Sequence, residues 1–325
     1  MLRKSFGLLR SNLEEDVKLA KQGQGIEKES LFKKIRKNKI PYLFISPFFI
    51  LFAIFMLYPT IYSFYLSFFK WSGAGPKAYV GLLNYTDLLT NRPFKQSLIN
   101  AVILFFEYVP AMTLLALILA SLLNSRYLRL QSVFRTFIFL PYVTAIIAVT
   151  YAFQLLLDKR FGMVNLFLSW FGVEPTAWLN TPNLARICLS ALVTWRWLGY
   201  NMILLLAGLQ NISPQLYEAA KIDGATSTQS FFRITLPLMK PMLLFCILLS
   251  TIGTVSLFDE PFILFDTGGG SGGGPRDATL TPVLYLYNTA FRYLHFGSAS
   301  SIAYALFIIL FLIGLFEIKV MGEKK

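Results

Sequence analysis

Residues 218–237 read EAAKIDGATSTQSFFRITLP. The stretch is a polar interruption between two apolar runs of membrane length, and it carries its own folding signals. Ser213-Pro214, just ahead of it, supplies an N-cap residue and a first-turn proline, whose fixed φ and missing N–H suit the start of a helix. That helix carries EAAKID and is expected to stop at Gly224, where the lack of a Cβ permits a left-handed turn. Thr226 with Gln229 three residues on has capping-box spacing, and predicts a second helix that ends before Pro237. The stretch therefore predicts helix, glycine bend, helix, lying at a membrane surface.

The 325-residue chain is 55% hydrophobic and 14% charged, with 31 phenylalanines and a positive mean hydropathy. A soluble domain carries about 25% charged residues, so this is the composition of an integral membrane protein. The net charge of +13 would suit nucleic acid if the basic residues shared one folded soluble face. They lie instead between the apolar runs, which points to membrane lipid and away from nucleic acid. Cys188 and Cys246 both sit in apolar runs, and His295 is the single histidine, so neither a disulfide framework nor a metal centre is expected. No nucleophile–base pair or carboxylate pair stands out, so no catalytic residue is assigned.

Six apolar runs are long enough to cross a bilayer: residues 41–69, 98–123, 134–157, 184–209, 242–265 and 300–321. The first is too long for a signal-peptide core, lacks a small-residue cleavage site and follows a long basic segment, so it reads as an uncleaved span. The chain divides into a basic arm, residues 1–39, and a membrane domain, residues 40–325. Within the arm, residues 11–21 suit a polar helix, and Lys33, Lys34, Arg36, Lys37 and Lys39 form a collar against the first span. The collar reads as an anchor to anionic lipid or as a partner-binding tail.

Six spans put both termini on one side. With that side inside, residues 1–39, 124–135, 210–241 and the tail from Lys319 hold 20 Lys or Arg, whereas the outer segments hold 8. The bias places both termini and the 210–241 stretch in the cytoplasm. On the outer side, residues 72–97 read as a folded loop opened by Gly73 and Gly75, and residues 161–172 as a short amphipathic segment along the interface. Residues 267–275, TGGGSGGGP, read as a flexible outer loop. They lack the lysine and hydroxyl residue of a phosphate-binding loop, so ATP hydrolysis is not expected of this chain.

A cytoplasmic helix–bend–helix inside a membrane bundle either transmits conformation to a soluble partner or is an ordinary amphipathic linker. Ala219, Ala220 and Gly224 are small enough for close approach by a partner. Glu218 and Asp223 offer acceptor oxygens, and Phe231, Phe232 and Ile234 are expected to anchor the second helix. In the fourth span, Arg196 lies at mid-membrane between Trp195 and Trp197, with Tyr200 and Asn201 a turn on. A charge at that depth faces a cavity or a partner. Aromatic faces beside hydrogen-bonding groups suit a sugar ring, and the other reading pairs Arg196 with Glu107, Asp259 or Glu260. An ion-coupled transporter would favour inverted repeats and intramembrane carboxylates, and no repeat of the halves is visible.

The spacing Glu218-Ala219-Ala220, three residues, Gly224, nine residues, Ile234, one residue, Leu236-Pro237 resembles the EAA loop of bacterial ABC importer permeases. Asn100, Arg135 with Phe139-Leu140-Pro141, Gly162 with Asn165, Trp195, Gly199, Ala207-Gly208-Leu209-Gln210 and Gly273-Gly274-Pro275 are similar to the carbohydrate, maltose-type branch. The resemblance runs over about residues 40–320 and leaves the arm outside. It implies an all-α permease core of six transmembrane helices with a cytoplasmic coupling helix at about residues 213–237. It further implies a second permease subunit, in sugar systems usually a different one, two cytoplasmic ATPase subunits that bind ATP and Mg, and an external solute-binding protein. The coupling role falls on Glu218, Ala219, Ala220, Asp223 and Gly224, and the pathway candidates are Trp195, Arg196, Tyr200 and Asn201. The solute implied is a sugar or oligosaccharide, with glycerol phosphate or an acidic oligosaccharide as the alternative. The extra N-terminal spans and large external domain of some maltose-type members are not seen.

Overall fold

A computed structural model describes residues 39–125, 128–265 and 270–321. The basic arm before Lys39 lies outside them. The chain forms two units, Met1–Tyr62 and Ser63–Lys325. Helix α1 (Ile40–Leu66) is an apolar span of 27 residues.

One device recurs along the chain. Helix α1 widens into a π turn over Ala53–Leu57, where the Tyr58 N–H reaches back to the Ala53 carbonyl, and Pro59 follows at once. A proline in a regular helix has no N–H to give and collides with the carbonyl four residues back. Widening the preceding turn relieves that collision without ending the helix.

In the second unit, β1 (Phe69–Lys70) and β2 (Ala78–Tyr79) form a small antiparallel hairpin, followed by α2 (Leu83–Leu88). This is the folded loop that the sequence predicts. Helix α3 (Arg92–Leu123) is capped by the Asn91 side chain, which accepts the Phe94 N–H. It is the spine of the unit. Three buried apolar clusters line up along it, the first with α5 (Ile146–Leu156) and α7 (Pro182–Gln210). The second joins α3 to α7 and to α9 (Ser227–Val255), and the third joins it to α11 (Pro282–Tyr287) and α12 (Phe296–Met321). Ala101, Ala116 and Ala120 on α3 are fully enclosed, and small residues let helix backbones approach closely where packing rather than hydrophobicity drives association.

Among the described residues, five helices are long and apolar enough to span a membrane, or six if a bent pair counts as one span. That pair corrects the sequence reading of one span over residues 134–157. It consists of α4 (Gln131–Val143) and α5, which meet at 90°. Pro141 removes a hydrogen bond from the last turn of α4, and Thr144 turns to extended backbone. The freed Pro141 carbonyl accepts the Thr144 hydroxyl at 2.7 Å, so the break leaves no bare acceptor there.

The run over residues 242–265 is also broken. Helix α9 ends at Val255, and α10 (Asp259–Phe265) begins after a short turn with two acids in its first turn, where the helix dipole favours them. Between α5 and α7, α6 (Met163–Ser169) is the short segment expected near residues 161–172, and α8 (Pro214–Ile222) precedes α9. The described part of the glycine run, residues 270–275, departs from the flexible loop expected of it. Gly272 and Gly273 are buried, the Thr279 N–H donates to the Gly273 carbonyl at 2.9 Å, and Asn288 Nδ2 donates to the Ser271 carbonyl at 2.8 Å. Glycines here serve packing as much as freedom.

Candidate functional site

Helix α8 starts at Pro214, but the Ser213 hydroxyl donates to Gln215 Oε1 at 3.0 Å and makes no cap. The expected N-cap role of Ser213 is thereby corrected. At its far end α8 closes as a Schellman motif. The Ala225 N–H donates to the Ala220 carbonyl at 2.9 Å and the Gly224 N–H to the Lys221 carbonyl at 3.2 Å, with Gly224 at φ +77°. The capping box is present in full: the Gln229 N–H meets Thr226 Oγ1 at 3.3 Å, and the Thr226 N–H meets Gln229 Oε1 at 2.9 Å. Tyr217 and Thr235 share a 2.8 Å hydroxyl hydrogen bond that ties α8 to α9.

Pro237 does not end the second helix, contrary to the sequence reading. A π turn over Phe231–Thr235 sends the Leu236 N–H to the Phe231 carbonyl and carries the proline into one continuous helix, as at Pro59. Of the three expected anchors, Phe231 packs against the cluster around Leu209, whereas Phe232 is 61% exposed. Adjacent helix positions point about 100° apart, so both rings cannot share one face. Glu218, Ala219, Asp223 and Gly224 are exposed and Ala220 is half-buried. Ile222, 87% exposed, stands beside them, an apolar side chain at the tip of a polar element that the sequence reading passed over.

The mid-span candidates separate into two environments. Arg196 Nη1 contacts Glu260 Oε1 at 2.8 Å, with the Arg196 and Glu260 side chains only 16% and 4% exposed. The pairing reading holds for Arg196, and among the acids considered Glu260 is the partner. Glu107 instead accepts the Ser190 hydroxyl at 2.9 Å and lies 3.9 Å from Arg186 Nε. Trp195 faces Phe153 on α5 with ring centroids 5.6 Å apart, and is absent from the lining of the cavity that Tyr200 borders.

Trp197, Tyr200 and Asn201 line that cavity, of about 50 Å³, together with Tyr108, Ser250 and Gly253. Its groups are oriented. Thr254 gives its hydroxyl hydrogen to the Ser250 carbonyl at 2.7 Å, so the short Tyr108–Thr254 contact has Tyr108 as donor. Asn201 Nδ2 donates to the Trp197 carbonyl at 3.1 Å. Tyr142, beside the bend between α4 and α5, stacks on Tyr200 at 4.9 Å and meets Trp197 edge-on at 5.1 Å. Tyr142 and Tyr108 went unnoticed in the sequence because they belong to other spans; their depth was the one signal available. Gly199 explains the close fit, since a Cβ there would lie 2.1 Å from the Ile138 carbonyl oxygen of α4.

Asn100 and Asn165 have architectural jobs. Asn100 Nδ2 donates to the Asp277 and Leu280 carbonyls at 2.6 and 3.0 Å. Asn165 Oδ1 accepts the Thr176 N–H and the Trp178 indole N–H at 3.1 and 2.9 Å. In the turn before α6, the Phe161 and Arg160 N–H groups point at the Asp158 carboxylate and hold its pKa below the ordinary 3.8.

Residues 92–318 match the family described as binding-protein-dependent transport system inner membrane component. The chain is 40% identical over 287 residues to the lactose transport system permease protein LacF of Rhizobium radiobacter, covering 87% of this chain and 94% of that one. It is 34% identical over 290 residues to the arabinooligosaccharides transport system permease protein AraP of Bacillus subtilis, covering 89% and 90%. A chain from the crystal structure of a bacterial ABC transporter that imports the acidic polysaccharide alginate has the same fold, with a TM-score of 0.77 at 24% identity over 90% of this chain and 98% of that one. The chain therefore belongs to the binding-protein-dependent transport system inner membrane component family.

Proposed function

We propose that this chain is one permease subunit of an ATP-driven importer of sugars or oligosaccharides, forming half of the pathway and coupling it to ATPase subunits in the cytoplasm. The observation that carries the reading is the exposed helix–bend–helix of residues 213–237, with Glu218, Ala219, Asp223, Gly224 and Ile222 facing outward and Tyr217 and Thr235 fastening it to the bundle. A rigid element with small residues, acceptor oxygens and one large apolar anchor suits insertion into a cleft on a soluble partner. In that reading two such partners bind ATP and Mg, a second permease of different sequence completes the pathway, and an external binding protein delivers the solute. The excess of Lys and Arg in the loops on that side supports a cytoplasmic position for both termini and the coupling element. Such a loop is a two-state element whose position both ATP and solute bias.

The sugar assignment is supported by the lactose and arabinooligosaccharide permeases among the relatives. Trp197, Tyr200 and Asn201 support it too, since flat aromatic faces beside neutral hydrogen-bonding groups match a pyranose. At about 50 Å³ their cavity is far below the 300–1,000 Å³ of a ligand pocket, so this chain does not enclose a sugar there by itself. The test is Glu218→Lys in the reassembled transporter. The variant should insert in the membrane and lose copurification with the ATPase subunits and solute-stimulated ATP hydrolysis; retention of both at the wild-type level would refute the docking assignment.

A further inference from the structure

We infer that the transported solute is an uncharged sugar, and that Glu260 is the specificity-determining residue that keeps it so by neutralising Arg196. The inference rests on the carbohydrate reading above and decides between its neutral and acidic forms.

A guanidinium at mid-membrane is costly alone and is a ready partner for a carboxylate, with which it forms paired hydrogen bonds. Left free, Arg196 would draw an acidic sugar into the pathway. It is not free. Glu260 reaches it from α10 at 2.8 Å and is itself 4% exposed, so the carboxylate is fixed in place rather than borrowed from solvent.

The pair lies one side chain behind the cavity. The Arg196 guanidinium carbon is 5.8 Å from the centroid of the Trp197 ring, and Trp197 is a cavity wall. Glu260 lies within electrostatic range of the Tyr108 phenol, another wall. No charged side chain lines the cavity itself among the described residues; its polar groups come from Tyr108, Trp197, Tyr200, Asn201 and Ser250.

On the same helix Arg186 is likewise held, 3.9 Å from Glu107 and donating to Asn183 Oδ1 at 2.8 Å. Asp259, exposed next to Glu260, adds negative charge to this region. An entering carboxylate would give up its water and find no cation among the described residues lining the cavity, whereas hydroxyls find neutral donors and acceptors. Discrimination against a charged analogue built this way is a difference in affinity set by a repulsive element as much as by an attractive one.

The experiment uses the complete transporter with its ATPase subunits in nanodiscs, without the external binding protein, whose own selectivity would mask the effect. Lactose, maltose and cellobiose are the neutral probes, and the same disaccharides with a hydroxymethyl oxidised to carboxylate are the acidic ones. Binding is followed by tryptophan fluorescence and calorimetry. Wild type should prefer the neutral probes, and Glu260→Gln should shift the preference toward the acidic ones by about tenfold, equivalent to about 1.4 kcal/mol. Arg196→Gln/Glu260→Gln, with neither charge, should return to the wild-type preference. If Glu260→Gln does not fold, Arg196→Gln reads the same electrostatics with the opposite sign, disfavouring the acidic probes by a further tenfold or so. An unchanged preference in every folded variant, or a wild type that prefers the acidic probes, overturns the inference while leaving the sugar reading intact. Failure of the wild type to bind any probe of either class removes the sugar reading, and the inference with it.

Discussion

Gly224 separates two reasons for having a glycine, and two substitutions tell them apart. Its φ of +77° lies in the left-handed region, and the turn it closes is held by hydrogen bonds of 2.9 and 3.2 Å. A Cβ added there would meet nothing within 4 Å, so within this chain the cost of Gly224→Ala is backbone strain alone. Left-handed backbone costs an L-residue about 1–2 kcal/mol, and asparagine, whose side chain can bond locally, tolerates it better. Amide hydrogen exchange across residues 218–230 should therefore quicken by about 5–30-fold in Gly224→Ala and little in Gly224→Asn. Solute-stimulated ATP hydrolysis should follow a different rule. If the empty space beside Gly224 is where an ATPase subunit lies, the asparagine variant fills it and uncouples despite its native-like exchange. An asparagine variant that couples at the wild-type rate would refute this reasoning and reduce Gly224 to a device for turning the chain.

Two further substitutions probe the frame. Gly199→Ala would put a Cβ 2.1 Å from the Ile138 carbonyl oxygen, and forcing α4 from α7 should cost about 1–3 kcal/mol, read as a lower thermal midpoint of the purified chain in detergent. An unchanged midpoint would mean that the two helices separate freely. Asn100→Ala leaves the Asp277 and Leu280 carbonyls without their shared donor and should cost about 1–3 kcal/mol, with faster exchange confined to residues 273–281; protection at the wild-type level would refute the anchoring role.

Much of the coupling element was legible because its signals act within a turn or two of the chain. Gly224 permits the left-handed residue, and Thr226 with Gln229 forms the capping box, whatever the rest of the protein does. Helix continuation was less legible. Pro237 reads as a stop and Pro59 lies inside a run read as one span, yet a single widened turn ahead of each lets the helix pass, and nothing in the letters separates a proline that breaks from one that is accommodated. The packed half of the glycine run was hidden for a similar reason: glycine marks freedom in the unfolded chain, but the Phe262 and Thr279 surfaces that close on Gly272 and Gly274 come from elsewhere.

The sequence by itself determined that this chain is a bundle of membrane spans interrupted by a capped, glycine-bent loop, because hydropathy and capping are sums over neighbouring residues. The tertiary structure alone decided which acid neutralises Arg196. Glu107, Asp259 and Glu260 were equivalent on paper, and the choice of Glu260, 64 residues away, depends on the break after Val255 that lets α10 bring its first turn to α7. It also decided that Tyr108 and Tyr200 line one small cavity and that Tyr142 stacks on Tyr200, from three helices whose register is set by close contacts such as that of Gly199 with the α4 backbone. Charge at depth is readable in one dimension; its partner is a matter of packing in three.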